Sequence, residues 1–293
     1  MNEITFSGQI PGIFAEEYHR VTEFSMADRH FHESLELYFM LEGERYYFIE
    51  QDTYHIKPQM AILVNRNQIH KTSMVNGHKQ HLRFLLQLDS SVLNSYFSLP
   101  ETPDIHAFGE NYWGVAEFSS DDWQQVLLTI HLLKKEMKRG DASGNTISLL
   151  LTMQLVTLFI RSRRRQAFSQ RKSSVTSHKV HTGMYQKVHE IALYLQNHCS
   201  EPCSLNDIAA HFYISRPYLT RIFKSITGFT VTEYLIVCRI RRAKMLLKET
   251  NLSITDISAQ TGFGNITYFE KVLKKMNDCT PFQYRKNFRT GQN

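Results

Sequence analysis

Ser204-Leu205-Asn206-Asp207-Ile208-Ala209-Ala210 returns forty-nine residues on as Ser253-Ile254-Thr255-Asp256-Ile257-Ser258-Ala259. Tyr218-Leu219-Thr220-Arg221-Ile222-Phe223-Lys224 then returns as Tyr268-Phe269-Glu270-Lys271-Val272-Leu273-Lys274, at an offset of fifty. At the same offset, Thr230-Val231-Thr232-Glu233-Tyr234 returns as Thr280-Pro281-Phe282-Gln283-Tyr284. Three blocks repeated in one order mark a duplicated structural unit, and such a repeat decides architecture ahead of local propensity.

Each copy reads as helix, tight turn, helix. Ser204 and Ser253 stand at a helix start with Asp three residues on, an acidic form of the capping box. Leu205, Ile208, Ala209 and Phe212 follow at helical spacing, echoed by Ile254, Ile257 and Ser258. The turn falls at Tyr213-Ile214-Ser215 and, one residue longer, at Thr261-Gly262-Phe263-Gly264-Asn265, where Gly262 suits a positive φ. Ser215 caps the second helix, Pro217 sits in its first turn, and Gly228 ends it. Leu219, Ile222, Phe223 and Ile226 form its buried stripe, leaving Arg216, Thr220, Arg221 and Lys224 outward. In the second copy Phe269, Val272 and Leu273 go inward, and Thr267, Glu270, Lys271 and Lys274 remain outside. One basic amphipathic helix is explained by a solvated face. Two at a fixed offset point to a pair of DNA-facing helices. The apolar spacing over 231–249 predicts a long helix joining the units.

Charge divides along the chain. Residues 1–160 carry 12 Lys+Arg against 20 Asp+Glu, residues 161–182 carry 7 against none, and residues 183–293 carry 15 against 8. An acidic front and a basic back suit a protein of which only one part meets a polyanion. With 293 residues and 42% hydrophobic content there is room for two cores. The four cysteines (Cys199, Cys203, Cys238, Cys279) have no zinc or redox spacing, and Cys199 and Cys238 fall on apolar stripes. No secretory signal opens the sequence, and Leu149–Ile160 is too short to span a bilayer, so a cytoplasmic protein without membrane contact is expected.

The front half alternates with period two. Leu35–Met40, Tyr46–Glu50, Tyr54–Ile56, Met60–Val64 and Leu82–Leu88 read as strands of a small barrel or jelly roll. Helices are expected over Asp121–Lys138, with Trp123, Val126, Leu127, Ile130 and Leu133 inward, and over Thr146–Arg161. They are candidates for a dimer interface or for packing on their own barrel. Arg161-Ser162-Arg163-Arg164-Arg165 begins a run without acids that reads as a solvated basic tether, with phosphate attraction as an added role.

From about 185 to 290 the sequence resembles the DNA-binding domain of the AraC/XylS transcriptional regulators. The matching signatures are Ile208-Ala209, Ser215-x-x-Tyr218-Leu219-x-Arg221-x-Phe223-Lys224, Arg239-x-x-x-Ala243-x-x-Leu246-Leu247, Ile257-x-x-x-x-Gly262-Phe263, Tyr268-Phe269 and Thr280-Pro281-x-x-Tyr284-Arg285. Lys271 and Leu273 depart from the usual Arg and Phe. The expected architecture is α+β in two domains. A cupin-like barrel with two following helices (1–163) is joined by a basic flexible linker (164–182) to an all-α double helix-turn-helix domain (183–293). Candidate DNA contacts are Ser215, Arg216, Pro217, Thr220, Arg221 and Lys224 in the first unit. In the second they are Asn265, Ile266, Thr267, Glu270, Lys271 and Lys274. The resemblance implies double-stranded DNA, a small-molecule effector, RNA polymerase and a second copy as partners, with activation as the family habit.

His30-x-His32-x-x-x-Glu36, with Gly43 and a later His70, resembles the cupin metal motifs. Gln59, Asn65 and Asn67 stand where that motif's glycines belong, and the family's barrels resemble ligand pockets. A metal site, a polar lining for an effector, and structural histidines all remain open. We take His30, His32, Glu36, Tyr38 and His70 as the candidate effector-binding set, with no metal and no cofactor. A metal-dependent cupin enzyme with a DNA-binding tail is the alternative, since no other catalytic set is present.

Overall fold

The computed structural model describes residues 2–22, 34–66, 68–75, 79–89, 105–170, 178–180, 183–277 and 279–289. They form two compact units, Met1–His181 and Thr182–Asn293.

The first unit is built on two antiparallel sheets. One contains β1 (Glu3–Ile10), β2 (Ile13–Arg20), β3 (Leu35–Gly43), β6 (Met60–Val64), β8 (His81–Leu88) and β9 (Gly114–Glu117), in the order β1-β2-β8-β3-β6-β9. The other pairs β5 (Asp52–Ile56), β4 (Arg45–Ile49) and β7 (His70–Met74), in that order. Strand β3 is buried on both faces, so it reads as a continuous apolar run. Its Leu35, Leu37 and Phe39 join a core with α2 (Ser120–Met137) and α3 (Ala142–Gln170), while Tyr38 and Met40 face the second sheet. The β1–β2 hairpin, β7, β9 and α1 (Ile105–Tyr112) were not anticipated. Much of β1 and β7 is exposed or half-buried, which dilutes their apolar alternation.

Two expectations need correcting here. Leu127 of α2 is 42% exposed, not inward. Helix α3 runs to Gln170, not Arg161, so the arginine run does not begin a solvated tether. Arg163 donates to Val115 O at 2.8 Å and Trp113 O at 3.1 Å. These carbonyls belong to or border edge strand β9. Arg164 bonds the Tyr112 hydroxyl at 2.8 Å, and Arg161 and Arg165 both pair with Asp122. Helix α3 is also long and apolar enough, by length and composition, to cross a membrane, although a shorter apolar stretch was expected. Its Leu155, Val156, Leu158, Phe159 and Ile160 are instead buried in the core of this unit.

Beyond α3, residues 178–180 lie along β5. His55 N donates to His178 O at 3.1 Å, Val180 N donates to Thr53 O at 2.7 Å, and Lys179 Nζ reaches the buried Asp52 at 2.7 Å.

The second unit is helical: α4 (Gly183–Asn197), α5 (Leu205–His211), α6 (Arg216–Thr227), α7 (Val231–Glu249), α8 (Ile254–Gln260), α9 (Ile266–Asn277) and α10 (Pro281–Arg289). The duplication holds down to single hydrogen bonds. Phe212 N, Tyr213 N and Ile214 N bond Ile208 O, Ala210 O and Ala209 O. Thr261 N, Gly262 N and Phe263 N bond Ile257 O, Ala259 O and Ser258 O in the same pattern. The left-handed position is Tyr213 in the first turn (φ 54°) and Gly262 in the second (φ 80°).

Candidate functional site

Helix α6 begins where Ser215 accepts the Tyr218 amide and ends at left-handed Gly228, as capping chemistry dictates. Leu219, Ile222, Phe223 and Ile226 are buried beneath it. Ser215, Arg216, Pro217, Arg221 and Lys224 are exposed and Thr220 is half-buried, its hydroxyl donating to Arg216 O at 3.0 Å. Arg216, Pro217, Thr220, Arg221 and Lys224 line one surface recess together with Ser225. The Arg221 guanidinium lies 5.6 Å from the centroid of Tyr218, which limits the freedom of that long side chain.

Helix α9 repeats the arrangement. Asn265 caps it by accepting the Tyr268 amide at 3.0 Å, and Phe269 and Leu273 are buried. Asn265, Ile266, Thr267, Glu270, Lys271 and Lys274 are all exposed. Helix α7 connects the two as a spine. Tyr234 near its start packs edge-on against Phe223, at 5.3 Å between centroids, and accepts from Gln196 at 2.8 Å. Ile240, Ala243 and Leu247 further along join the core of Ile257, Phe263, Phe269 and Leu273. At about 1.5 Å per residue its 19 residues span roughly 28 Å.

In the first unit, Glu36, Tyr38 and His70 come together between the sheets. Tyr47 donates to Glu36 Oε1 at 2.7 Å, Glu36 Oε2 lies 3.7 Å from His70 Nε2, and Tyr47 stacks near His70 and edge-on to Tyr38. Burial and the neighbouring Glu36 carboxylate hold the Tyr47 phenol well above its ordinary pKa, and burial pushes Tyr38 up to about 12. Both phenols are therefore hydrogen-bond donors at neutral pH. His30 and His32 lie outside the described residues. Among the described residues no three His, Cys, Asp or Glu side chains form a metal-holding group. Sequence reasoning did not single out Arg45, Tyr47 or Arg83 as site residues. The signal was available in the alternation of Arg45-x-Tyr47-x-Ile49 and of Arg83 between apolar neighbours.

The second unit thus holds two helix-turn-helix pairs joined by one helix, and the first is a two-sheet domain with a polar cluster in its interior. Residues 208–287 match the family described as helix-turn-helix domain, and residues 12–105 match the AraC-like ligand binding domain. Together these matches span more than half of the chain. The uncharacterized HTH-type transcriptional regulator YfiF of Bacillus subtilis (strain 168) is 25% identical over 268 residues, covering 90% of this chain and 80% of its own. The HTH-type transcriptional activator RhaR of Cronobacter sakazakii is 24% identical over 259 residues, covering 88% and 87%. Among solved structures, the DNA-binding domain of AdpA in complex with a target DNA is 26% identical. It covers 34% of this chain and 91% of that one, with a TM-score of 0.34. The chain belongs to the AraC/XylS-type transcriptional regulators, with an N-terminal ligand-binding domain and a C-terminal DNA-binding domain.

Proposed function

We propose that this protein activates transcription from the cytoplasm as a homodimer that contacts RNA polymerase, with a small molecule held between its sheets setting how two DNA-binding domains are presented. The first unit, including the whole of α3, acts as sensor and dimerisation domain, and residues 183–293 act as DNA reader. The observation that carries the reading is the duplicated reading helix on one rigid spine. We take binding without turnover as its chemistry, consistent with a family of transcriptional regulators. An effector acts only through unequal affinity for two arrangements of the dimer.

The DNA arm is tested with residues 183–293 alone. That fragment should protect an asymmetric site of about two helical turns on one face of the duplex. Protection of a palindrome that needs two fragments overturns the two-site reading.

The dimer arm rests on α2 and α3. Leu128 (60% exposed), Leu132, Ile147 and Leu150 (58%) leave an apolar surface on helices that already pack on their own sheet. Such a surface calls for a partner, and a second copy of the same face supplies one. Replacing both Leu128 and Leu132 with Asp should turn a dimer into a monomer in sedimentation at micromolar concentration, with the melting temperature held. A double variant that sediments as wild type places the interface elsewhere.

A further inference from the structure

The face of the large sheet that looks toward the small one carries Arg20 and Arg83 among its aromatic residues. Pairing across β2, β8 and β3 brings Tyr18 opposite Arg83, Arg20 opposite His81 and Tyr38 opposite Leu85. Arg83 lies 5.9 Å from the Tyr38 ring and 5.6 Å from Tyr18, and Arg20 lies 4.3 Å from Tyr18. Buried Arg45 donates to His81 Nδ1 at 3.0 Å. The guanidiniums of Arg83, Arg45 and Arg20 and the Glu36 carboxylate all act electrostatically on the Tyr38 phenol. Glu16 pairs with Arg83 at 2.5 Å and Glu36 accepts from Tyr47. His81 adds no further positive charge, since burial and the adjacent Arg45 push its pKa down to about 3.

Two buried polar atoms here have no hydrogen-bond partner: the Tyr38 hydroxyl, on a side chain 2% exposed, and Arg83 Nη1. Each buried unsatisfied polar group in a native fold calls for an explanation, and a ligand that accepts from both donors supplies one. A cleft of about 520 Å³, lined by His19, Glu42, Lys79 and His81 among others, opens at the His81 end of this face.

We infer that the space between the sheets takes a small organic carboxylate, its charge held by the guanidinium of Arg83 with Arg20 and Arg45 behind it, and the Tyr38 hydroxyl donating to it. The inference rests on the reading of this domain as the sensor and names the chemical class sensed. A guanidinium fork and a phenol are complementary to a carboxylate in both charge and geometry, and pockets of this type combine apolar walls with a few placed polar groups.

The test uses the full-length protein and three matched pairs of compounds: galacturonate with galactose, glucuronate with glucose, and gluconate with sorbitol. Thermal unfolding should rise by about 4 °C or more with at least one acid at saturating concentration, and its neutral counterpart should leave it unchanged. The Tyr38→Phe variant, without ligand, should melt at or above the wild-type temperature and lose at least half of the acid-induced rise. Arg83→Gln should lose it entirely. Equal stabilisation by acid and neutral partner overturns the carboxylate while leaving the sensor reading intact. No rise with any acid overturns the inference. So does a ligand-free Tyr38→Phe protein that melts several degrees low, because the hydroxyl then serves the fold. The sensor reading fails separately, if deleting residues 1–163 leaves regulated transcription unchanged in cells.

Discussion

Replacing Gly262 with alanine should destabilise the DNA-binding unit by about 3 kcal/mol, the sum of a left-handed non-glycine backbone and local overpacking. The residue sits at φ 80°, and an added Cβ would lie 2.8 Å from Ser200 O, 3.0 Å from Cys199 O and 3.0 Å from Arg239 Nε. Those carbonyls cannot retreat cheaply. Arg239 holds Cys199 O at 2.7 Å and Glu201 O at 3.1 Å, tying the segment after α4 to the spine helix. Tyr213, the equivalent residue of the first turn, has φ 54° and is 96% exposed. Its replacement by glycine relieves the backbone but enlarges the unfolded ensemble, so stability should change by less than about 1 kcal/mol. Chemical denaturation of the 183–293 fragment reads both variants. A Gly262→Ala protein that unfolds with the wild type would show that this turn yields freely.

At the DNA surface, the largest effect is expected from Arg221. It is exposed on the outer face of α6 and rests against Tyr218, and a guanidinium so presented is expected to meet a guanine edge bidentately. Arg221→Ala should remove about 1–3 kcal/mol of discrimination at one base pair, roughly 5- to 150-fold, and relax preference at that position alone. Lys224, nearer the end of the helix, should act on phosphate instead. Lys224→Ala should weaken every sequence alike and lower the salt slope by about one. Binding titrations against single-base variants of the site, at two salt concentrations, separate the roles. Identical behaviour of the two variants would refute the assignment.

The C-terminal unit was legible because its information is local. Helix caps at Ser204, Ser215 and Ser253, the stop at Gly228, the positive-φ Gly262 and the apolar spacing all act within a few residues, and the duplication repeats the pattern. The expected helix over 231–249 has those bounds in the structure. The four outward positions of the second copy, Thr267, Glu270, Lys271 and Lys274, are exposed because Phe269 and Leu273 must be buried, which settles the opposite face by geometry alone.

The N-terminal unit was legible in class but not in detail. Continuous apolar strands such as Leu35–Met40 and Met60–Val64 announce a buried sheet. Half-exposed strands carry a signal too weak to read alone, and β1 and β2 become strands only by pairing with each other and with β8. The arginine run at 161–165 shows the limit most clearly. Its composition describes a solvated tether, and nothing local says that Arg163 will find the carbonyls of Trp113 and Val115, about fifty residues away in sequence.

The sequence by itself determined the repeat, the two reading helices and their outward residues, because each depends on spacing of 3.6 residues and on caps. The tertiary structure alone decided that Glu36, Tyr38, Tyr47 and His70 share one interior, and that Arg83 lies near the Tyr38 ring. Strand pairing sets those neighbours, and which strand lies beside which is a property of the whole chain that no short window of sequence contains.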